Sequence, residues 1–202
     1  MSVVAPVQPV AGVLAGSRAL LAAAADALTA CVAPIAMASA AAPWTHSAYY
    51  RDEMGDEIWR QYLAFDALMG PDELADLKRL TNGLEDRWRG PSGRAVNLDP
   101  GYLDLLRVVL ASTKDAAHRV AIGDGIYGEA TLHFVGGRFQ AWPYTYPDYG
   151  GDDALDFFTR VRERFRAERM LKASTWDGRP RWRRGSSPLG GDASPGGRSN
   201  AG

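Results

Sequence analysis

The pattern of hydrophobic and polar positions predicts a strand followed by a helix at the start of the chain. The apolar run from Val7 to Leu14, closed by Ala-Gly-Ser, predicts a buried strand, and Ser17 is the expected N-cap of a helix. That helix stops before Pro34, which cannot continue it. Its apolar face recurs at helical spacing and consists of Leu21, Ala25, Leu28 and Val32. An alanine-rich helix of this kind packs closely against a sheet.

Two further strands and a second helix follow. Residues 35–42 predict a weakly marked strand, and residues 58–68 predict another, with a helix as the alternative reading of the same apolar positions. A polar and aromatic loop, residues 43–57, joins them. Gly70 and Pro71 then mark the start of a helix that ends near Trp88, because proline is favoured at the first helical position and acidic residues follow it.

The stretch from Arg94 to Tyr149 carries the densest strand signals. The sequence predicts a short strand over Arg94–Leu98, ended by a turn at Asp99-Pro100-Gly101 that would bring Asn97, Asp99 and Tyr102 together. An antiparallel meander is expected after it, with strands at residues 108–113, 118–122, 126–135 and 138–142. For residues 103–110 two helical turns are an alternative. A third helix is expected from Asp152 or Asp153.

This order of elements predicts an α+β fold. The first six elements follow the βαββαβ order of a ferredoxin-like core, extended by the antiparallel meander and closed by a C-terminal helix. Residues 1–170 have the length and apolar content of a single domain. Residues 171–202 are rich in Gly, Ser, Pro and Arg and predict a disordered tail.

Charge and cysteine content narrow the function classes. The 202 residues have a net charge of −1, but the tail holds six basic and two acidic residues, which leaves 17 basic and 22 acidic residues in the body. An acidic body argues against a nucleic-acid partner, since phosphate binding needs clustered basic residues. The single cysteine, Cys31, allows no internal disulfide, and the absence of a long uncharged apolar stretch predicts no membrane span, so we expect a cytoplasmic protein. The sequence does not indicate an oligomeric state.

Period-two alternation divides the side chains of the long meander strand between two faces. Tyr127, Glu129, Thr131 and His133 share one face, and Ile126, Gly128, Ala130, Leu132 and Phe134 share the other, which we expect to pack on the core. Glu129 is therefore expected to point to solvent or into a covered cleft, close to His118 or Arg119 on the preceding strand.

The candidate chemistry is a compact cationic set next to two carboxylates. Lys114, His118 and Arg119 lie close in sequence, and the predicted fold brings them near Asp99 and Glu129. Such cations bind phosphate or carboxylate groups, and His118, Glu129 and Asp99 are the candidate acid–base groups. Buried ion pairs that fix the meander are the alternative. The three histidines and one cysteine have no metal-site spacing, and no cofactor is implied.

Several strings in the sequence carry a family resemblance: HSAYYRDEMG, RLTNGLE, NLDPGYL, VVLASTKDAAHR, GDGIYGEATLHF and WPYTYPDY. Together they resemble the domain-of-unknown-function 4416 family of bacteria and archaea, over about residues 7–166. The matching positions are Tyr49, Tyr50, Glu53, Met54, Gly55, Asn97, Asp99, Pro100, Gly101, Tyr102, Lys114, His118, Arg119, Tyr127, Glu129, Thr145, Pro147 and Asp148. The resemblance implies a shared domain and no established activity. Some members are labelled GTP-binding, but GDGIYG predicts a hairpin turn, and no G-x-x-x-x-G-K-[ST] phosphate loop is present.

The sequence therefore leaves two classes of function. The first is an enzyme or binding protein for a small anionic ligand, bearing phosphate or carboxylate, in a cleft of the central sheet. Its catalytic candidates are His118, Glu129 and Asp99, and its ligand-binding candidates are Asn97, Tyr102, Lys114, Arg119, Tyr146, Asp148, Tyr50 and Glu53. The second is a non-catalytic module that docks a protein or RNA through exposed aromatics, with Trp142, Tyr144, Tyr146 and Tyr149 as the contact residues.

Overall fold

The computed structural model describes residues 4–46, 50–91 and 93–172. The strands in chain order are β1 Gln8–Ala15, β2 Ile35–Ala38, β3 Ala42–Pro43, β4 Trp59–Phe65, β5 Arg89–Gly90, β6 Gly93–Arg94, β7 Val96–Leu103, β8 Arg107–Ser112, β9 Val120–Gly123, β10 Ile126–Val135 and β11 Arg138–Ala141. The α-helices are α1 Arg18–Cys31, α2 Arg51–Met54, α3 Leu74–Glu85, α4 Pro147–Gly150 and α5 Asp152–Lys172. Short 3₁₀ turns, Pro71–Glu73 and Asp86–Trp88, flank α3.

A large antiparallel sheet forms the centre of the fold. Its strands lie in the order β11-β10-β8-β7-β1-β4-β2, with β3 added beside β4 and β9 beside β10. A separate two-stranded ribbon pairs β5 with β6. The α+β fold class predicted from the sequence is confirmed.

The two faces of the sheet bury separate cores. On one face, Val13 and Leu98 pack with Leu28 of α1 and Leu77 of α3. On the other face, Val10 and Leu103 pack with the aromatic residues of α5. Because successive side chains of a strand point to opposite faces, β1 and β7 contribute to both cores and are buried along most of their length.

Three features predicted from local sequence signals are confirmed by the structure. The side chain of Ser17 accepts a hydrogen bond from the backbone N–H of Leu20 at 3.1 Å and caps α1, as predicted. The helix predicted after Gly70 forms as a 3₁₀ turn that continues into α3. The two-residue turn at Asp124 and Gly125, both with positive φ, joins β9 to β10 as the predicted hairpin.

The predicted turn at Asp99-Pro100-Gly101 is wrong, because β7 runs through these residues to Leu103. Pro100 pairs with Ala11 of β1, and pairing with β8 begins only at Gly101, so the missing N–H of Pro100 leaves no gap in the β7–β8 ladder. Gly101 is needed for a close approach, since a Cβ there would overlap the carbonyl oxygen of Val109. A glycine that is typical of turns is here needed within a strand, because β8 leaves no room for a side chain at residue 101.

Strict alternation along β10 is also wrong, because the strand contains a β-bulge between Ala130 and Leu132. Ile126 packs in the core under α1 and α3, whereas Leu132 packs in the core under α5. A bulge adds one residue to one strand and shifts which face the later side chains share. Glu129, which precedes the bulge, and Thr131, which lies within it, are both buried. For Glu129 this agrees with the covered-cleft alternative.

Several boundaries differ from the predicted ones. The second strand is shorter than predicted, with β3 as a separate piece, and the predicted loop 43–57 contains α2. Leu171 and Lys172 are the last residues of α5, and the rest of the predicted tail lies outside the described residues. Across the part of the chain that the structure describes, no helix combines the length and apolarity needed to cross a membrane.

Candidate functional site

A cleft with a volume of about 340 Å³ opens on the face of the sheet that also carries α5. Side chains of five neighbouring strands form its floor: Leu14, Arg60, Asn97, Asp99, Leu110, Ser112 and Glu129. Its walls come from the segment before α2 and the segment around α4, with Trp44, His46, Tyr50, Tyr146, Pro147, Asp148 and Tyr149, and its rim includes Lys78, Arg94, Thr113, Lys114 and Arg119. The cleft therefore joins segments that are far apart in sequence.

Arg60 lies buried at one end of this cleft between two carboxylates. Its Nη1 donates to Asp99 Oδ2 at 3.2 Å, and its Nη2 pairs with Asp148 Oδ2. The guanidinium also lies over the ring of Tyr149, 4.9 Å from its centroid. Attraction to these partners raises the pKa of Arg60 despite its burial, so the side chain stays charged.

Gly12 makes room for this end of the cleft. A Cβ at Gly12 would overlap the hydroxyl oxygen of Tyr149 and would lie 2.7 Å from Nη1 of Arg60. Tyr149 is only 1% exposed, and burial raises the pKa of its hydroxyl well above the usual value. Neither this hydroxyl nor Nε of Arg60 has a hydrogen-bond partner within the described residues.

Arg119 and Glu129 form the other end of the cleft. Arg119 Nε donates to Glu129 Oε2 at 2.9 Å, and its Nη1 donates to the hydroxyl of Ser112 at 3.0 Å and the carbonyl of Lys114 at 2.9 Å. Thr131 donates to the second carboxylate oxygen of Glu129 at 3.1 Å. This network holds the guanidinium in a single orientation with its side chain 7% exposed.

His118 lies behind this pair rather than in the cleft lining. Its Nε2 is 3.1 Å from Oε2 of Glu129, and its ring stacks on Tyr144 with 4.4 Å between ring centroids. The imidazole therefore reaches the cleft through the carboxylate of Glu129.

A third group of charges lies at the rim beside Asn97. Arg94 pairs with Glu53 at 3.1 Å and with Glu85 at 3.3 Å. Glu85 accepts a hydrogen bond from the backbone N–H of Leu98 at 2.6 Å, and burial raises its pKa above the usual value of 4.5. Burial also raises the pKa of the Tyr50 hydroxyl.

The bulge in β10 positions the wall that contains Tyr146 and Asp148. The carbonyl of Ala130 accepts a hydrogen bond from the Tyr144 hydroxyl at 3.1 Å, and the carbonyl of Thr131 accepts one from the Thr145 hydroxyl at 2.6 Å. These bonds fix the segment that leads into α4. The carboxylate of Asp148 then reaches Arg60.

The structure brings most of the predicted site residues to the cleft. Its lining includes Asn97, Asp99, Lys114, Arg119, Glu129, Tyr146, Asp148 and Tyr50. Glu53 acts behind Arg94, and His118 acts behind Glu129. Tyr102 lies on the opposite face of the sheet, against the core under α1 and α3, because β7 continues as a strand and alternation turns residue 102 away from residue 99.

The sequence reasoning missed Arg60, Arg94, Ser112 and Tyr149 as cleft residues. A signal for Arg60 was present, because it falls between Ile58 and Tyr62 on the same side of a predicted strand. An arginine flanked in this way by apolar partners is buried only if carboxylates pair with it. No such signal marks Gly12, whose role depends on the packing of Tyr149.

The aromatic residues proposed as a docking surface divide into two groups. Trp142, Tyr144 and Tyr146 are exposed, whereas Tyr149 is buried, so the predicted exposure of Tyr149 is wrong. Trp142 packs on His133 with 4.0 Å between ring centroids, and Tyr144 stacks on His118. Within residues 4–46, 50–91 and 93–172, no group of three or more His, Cys, Asp or Glu side chains is arranged to hold a metal ion.

Comparison with known families adds one match. The model of the family described as Domain of unknown function (DUF4416) matches residues 5–165. The chain belongs to this family. The DUF4416 match extends from the segment before β1 into α5 and confirms the resemblance carried by the sequence motifs. No curated protein and no solved structure matches the chain.

Proposed function

We propose that the protein binds a small anionic ligand, bearing a phosphate or a carboxylate, at the Arg119 end of the cleft. The observation that carries this proposal is the fixed, nearly buried guanidinium of Arg119 at the cleft rim, next to Lys114. Arginine held in one orientation binds anions strongly, because little side-chain freedom is lost on binding.

The groups at this end support it as the anion site. Two basic side chains, Arg119 and Lys114, line the cleft there. The cleft also limits the screening of their charges by water.

The same end contains groups for acid–base chemistry. His118 and Glu129 are in hydrogen-bond contact, and a carboxylate–imidazole pair of this kind can give a proton to a bound ligand or take one from it. A reaction on the ligand would use these two residues, with Arg119 holding the negative charge that develops.

Ligand binding can be tested directly by isothermal titration calorimetry and thermal shift. The probes are inorganic phosphate, short alkyl phosphates and short carboxylates, and the variants are Arg119→Gln and Lys114→Ala. We expect at least one probe to stabilise the native protein and Arg119→Gln to weaken its binding about tenfold or more, since hydrogen bonds to charged groups are strong.

Arg107→Gln is the matched control, because Arg107 is an exposed arginine of β8 that pairs with Asp104. It should bind the probes like the native protein. The proposal fails if no probe binds the native protein, or if Arg119→Gln and Lys114→Ala, both folded by circular dichroism, bind as well as the control. Lys114 is exposed, so its replacement tests the same end with the buried Arg119–Glu129 pair intact.

We also infer that the first part of the chain forms the ferredoxin-like core expected from its order of elements. The strand order β7-β1-β4-β2, antiparallel throughout, supports this inference. Helices α1 and α3 share one face of these strands, as the two helices of such a core do. An experimental structure with a different strand order would contradict it.

A further inference from the structure

The hydrogen-bonded ladder between β7 and β8 stops partway along β7. The two strands pair only over Gly101–Leu103 of β7, although β8 continues to Ser112. Along β7 the backbone groups of alternate residues point to β1, as the bond from the N–H of Gly16 to the carbonyl of Ala95 shows, and those of the residues between them point to β8. Leu98 thus turns its N–H and its carbonyl toward an opening where β8 no longer pairs.

Two side chains of α3 fill this opening. Glu85 accepts a hydrogen bond from the N–H of Leu98 at 2.6 Å, and the ammonium of Lys78 donates one to the carbonyl of Leu98 at 2.8 Å. Helix α3 packs on the face of the sheet opposite the cleft, yet Lys78 belongs to the cleft lining. A side chain that comes from α3 and passes between β7 and β8 meets the cleft with its end, so the ammonium is the part of Lys78 that faces a ligand.

The ammonium of Lys78 has donors to spare. Lys78 is 6% exposed, and among the described residues its ammonium has a single acceptor, the carbonyl of Leu98. An ammonium has three N–H donors, so two remain. The carboxylate of Glu85 lies near it but is bonded to the N–H of Leu98 and, at 3.3 Å, to Arg94. Buried charged donors normally have acceptors, so unused donors at a cleft rim indicate where an anion binds.

Ser112 supplies a further donor on the β8 side of the opening. Its hydroxyl oxygen accepts hydrogen bonds from Nη1 of Arg119 at 3.0 Å and from the backbone N–H of Lys114 at 3.1 Å. Both lone pairs are thereby used, so the hydroxyl hydrogen is the group that Ser112 offers to a ligand. The guanidinium of Arg119 also interacts with Tyr146, an exposed side chain of the cleft wall that a ligand can displace.

These donors lie on the two sides of one gap in the sheet. Continuing the pairing of Gly101 with Leu110 by three residues puts Leu98 opposite Thr113, the residue after Ser112. Paired strands lie about 5 Å apart, so the ends of β7 and β8 are close even where the ladder has opened. The ammonium that bonds Leu98 and the hydroxyl of Ser112 can therefore contact the same small group.

We propose that the anionic group of the ligand is the phosphate of a monoester, bound over this gap by Lys78 on one side and by Arg119 and Ser112 on the other. This inference rests on the proposed anion binding and narrows the ligand from phosphates and carboxylates to phosphate monoesters. Two fixed cations match a double negative charge, and three terminal oxygens accept from donors on both sides. A carboxylate has a single charge and two oxygens, so it leaves part of this set unused.

The test compares propyl phosphate with its methyl diester by isothermal titration calorimetry at about pH 8, where the monoester carries close to two negative charges and the diester one. We expect the native protein to bind the monoester about tenfold more tightly or better, because charge pairs in a shielded cleft are strong. Pentanoate, the carboxylate probe, should also bind more weakly than propyl phosphate.

Two variants assign the contacts. Lys78→Gln keeps a donor for the carbonyl of Leu98 but removes the charge, so the ratio of the monoester and diester affinities should fall several-fold. Ser112→Ala should weaken the binding of both phosphates several-fold, since it removes a hydrogen bond to a charged group.

Arg79→Gln is the matched control, because Arg79 follows Lys78 on α3 and pairs at the surface with Asp76 and Asp124. It removes the same charge and should keep the native ratio. If the native protein binds the diester or pentanoate as tightly as the monoester, the monoester is overturned and anion binding stays intact. A native ratio in folded Lys78→Gln overturns the role of Lys78.

If Lys78→Gln does not fold, Ser112→Ala decides, and unchanged binding in that variant overturns the position over the gap. Binding of no phosphate or carboxylate to the native protein would overturn the proposed function itself.

Discussion

Tyr149 packs over Gly12 so closely that a methyl group on residue 12 would overlap the tyrosine hydroxyl. Residue 12 lies in the middle of β1, and Tyr149 lies in α4, near the other end of the chain. This contact lets the ring of Tyr149 and the guanidinium of Arg60 pack against each other directly above the sheet. One end of the cleft therefore depends on the absence of a side chain.

Gly12→Ala should destabilise the protein by about 1–3 kcal/mol, the usual cost of overpacking a buried site. The added methyl group would displace Tyr149, Arg60 or both. Urea unfolding followed by circular dichroism measures the change. Gly83→Ala is the control, because a Cβ there meets nothing within 4 Å and residue 83 lies inside α3, where alanine is favoured over glycine. Equal or higher stability of Gly12→Ala would contradict the packing described.

Thr145→Val should cost about 1–3 kcal/mol of stability, because it leaves the carbonyl of the buried residue Thr131 and the N–H of Trp142 without their side-chain partner. The Thr145 hydroxyl donates to the carbonyl of Thr131 at 2.6 Å and accepts from the N–H of Trp142 at 2.9 Å. Thr145→Ser keeps the hydroxyl and should lose less than half as much stability. Urea unfolding of the three proteins gives both values. A loss in Thr145→Ser as large as that in Thr145→Val would contradict a dominant role of the hydroxyl.

Glu85 should make the protein less stable as the pH rises above 4.5. Burial raises the pKa of this carboxyl in the folded protein above its usual value of 4.5, so the folded state holds a proton that the unfolded state has already lost. The contribution of Glu85 to the free energy of unfolding is thus largest below pH 4.5 and falls as the pH rises through the folded pKa.

Urea unfolding of the native protein and Glu85→Gln over a series of pH values tests this expectation. The free energy of unfolding of the native protein minus that of Glu85→Gln should decrease with rising pH and then level off, since glutamine does not titrate. A difference that increases with pH would mean that Arg94 and the Leu98 N–H outweigh burial and hold the pKa below the usual value.

Lys78→Met should shift to higher pH the range over which Glu85 loses its contribution to stability. The ammonium of Lys78 lowers the pKa of Glu85 and donates to the carbonyl of Leu98 at 2.8 Å. Without that charge the ionised carboxylate of Glu85 is less stable, so its pKa rises. The difference in free energy of unfolding between Lys78→Met and the double variant Lys78→Met/Glu85→Gln should therefore decrease at a higher pH than the difference between the native protein and Glu85→Gln. The same unfolding series measures it, and a window at unchanged or lower pH would exclude an interaction between the two side chains.

The sequence by itself determined the order of the main elements and most of the residues near the cleft. Ser17, Pro71 and the Asp124-Gly125 turn act through neighbouring backbone groups, so local sequence is enough to place the elements that they start or connect. The motif residues around Arg119 and Glu129 are close in sequence and on paired segments, which made their proximity predictable.

Tertiary contacts alone decided the course of β7, the faces of β10 and the Arg60 end of the cleft. Residues 99–101 form turns in isolation, but here Pro100 pairs with β1 and Gly101 fits under Val109, so they continue a strand. The bulge after Ala130 depends on pairing with β8 and on hydrogen bonds from Tyr144 and Thr145. Arg60, Asp148 and Gly12 meet only because distant segments fold together, and no local propensity specifies such a meeting.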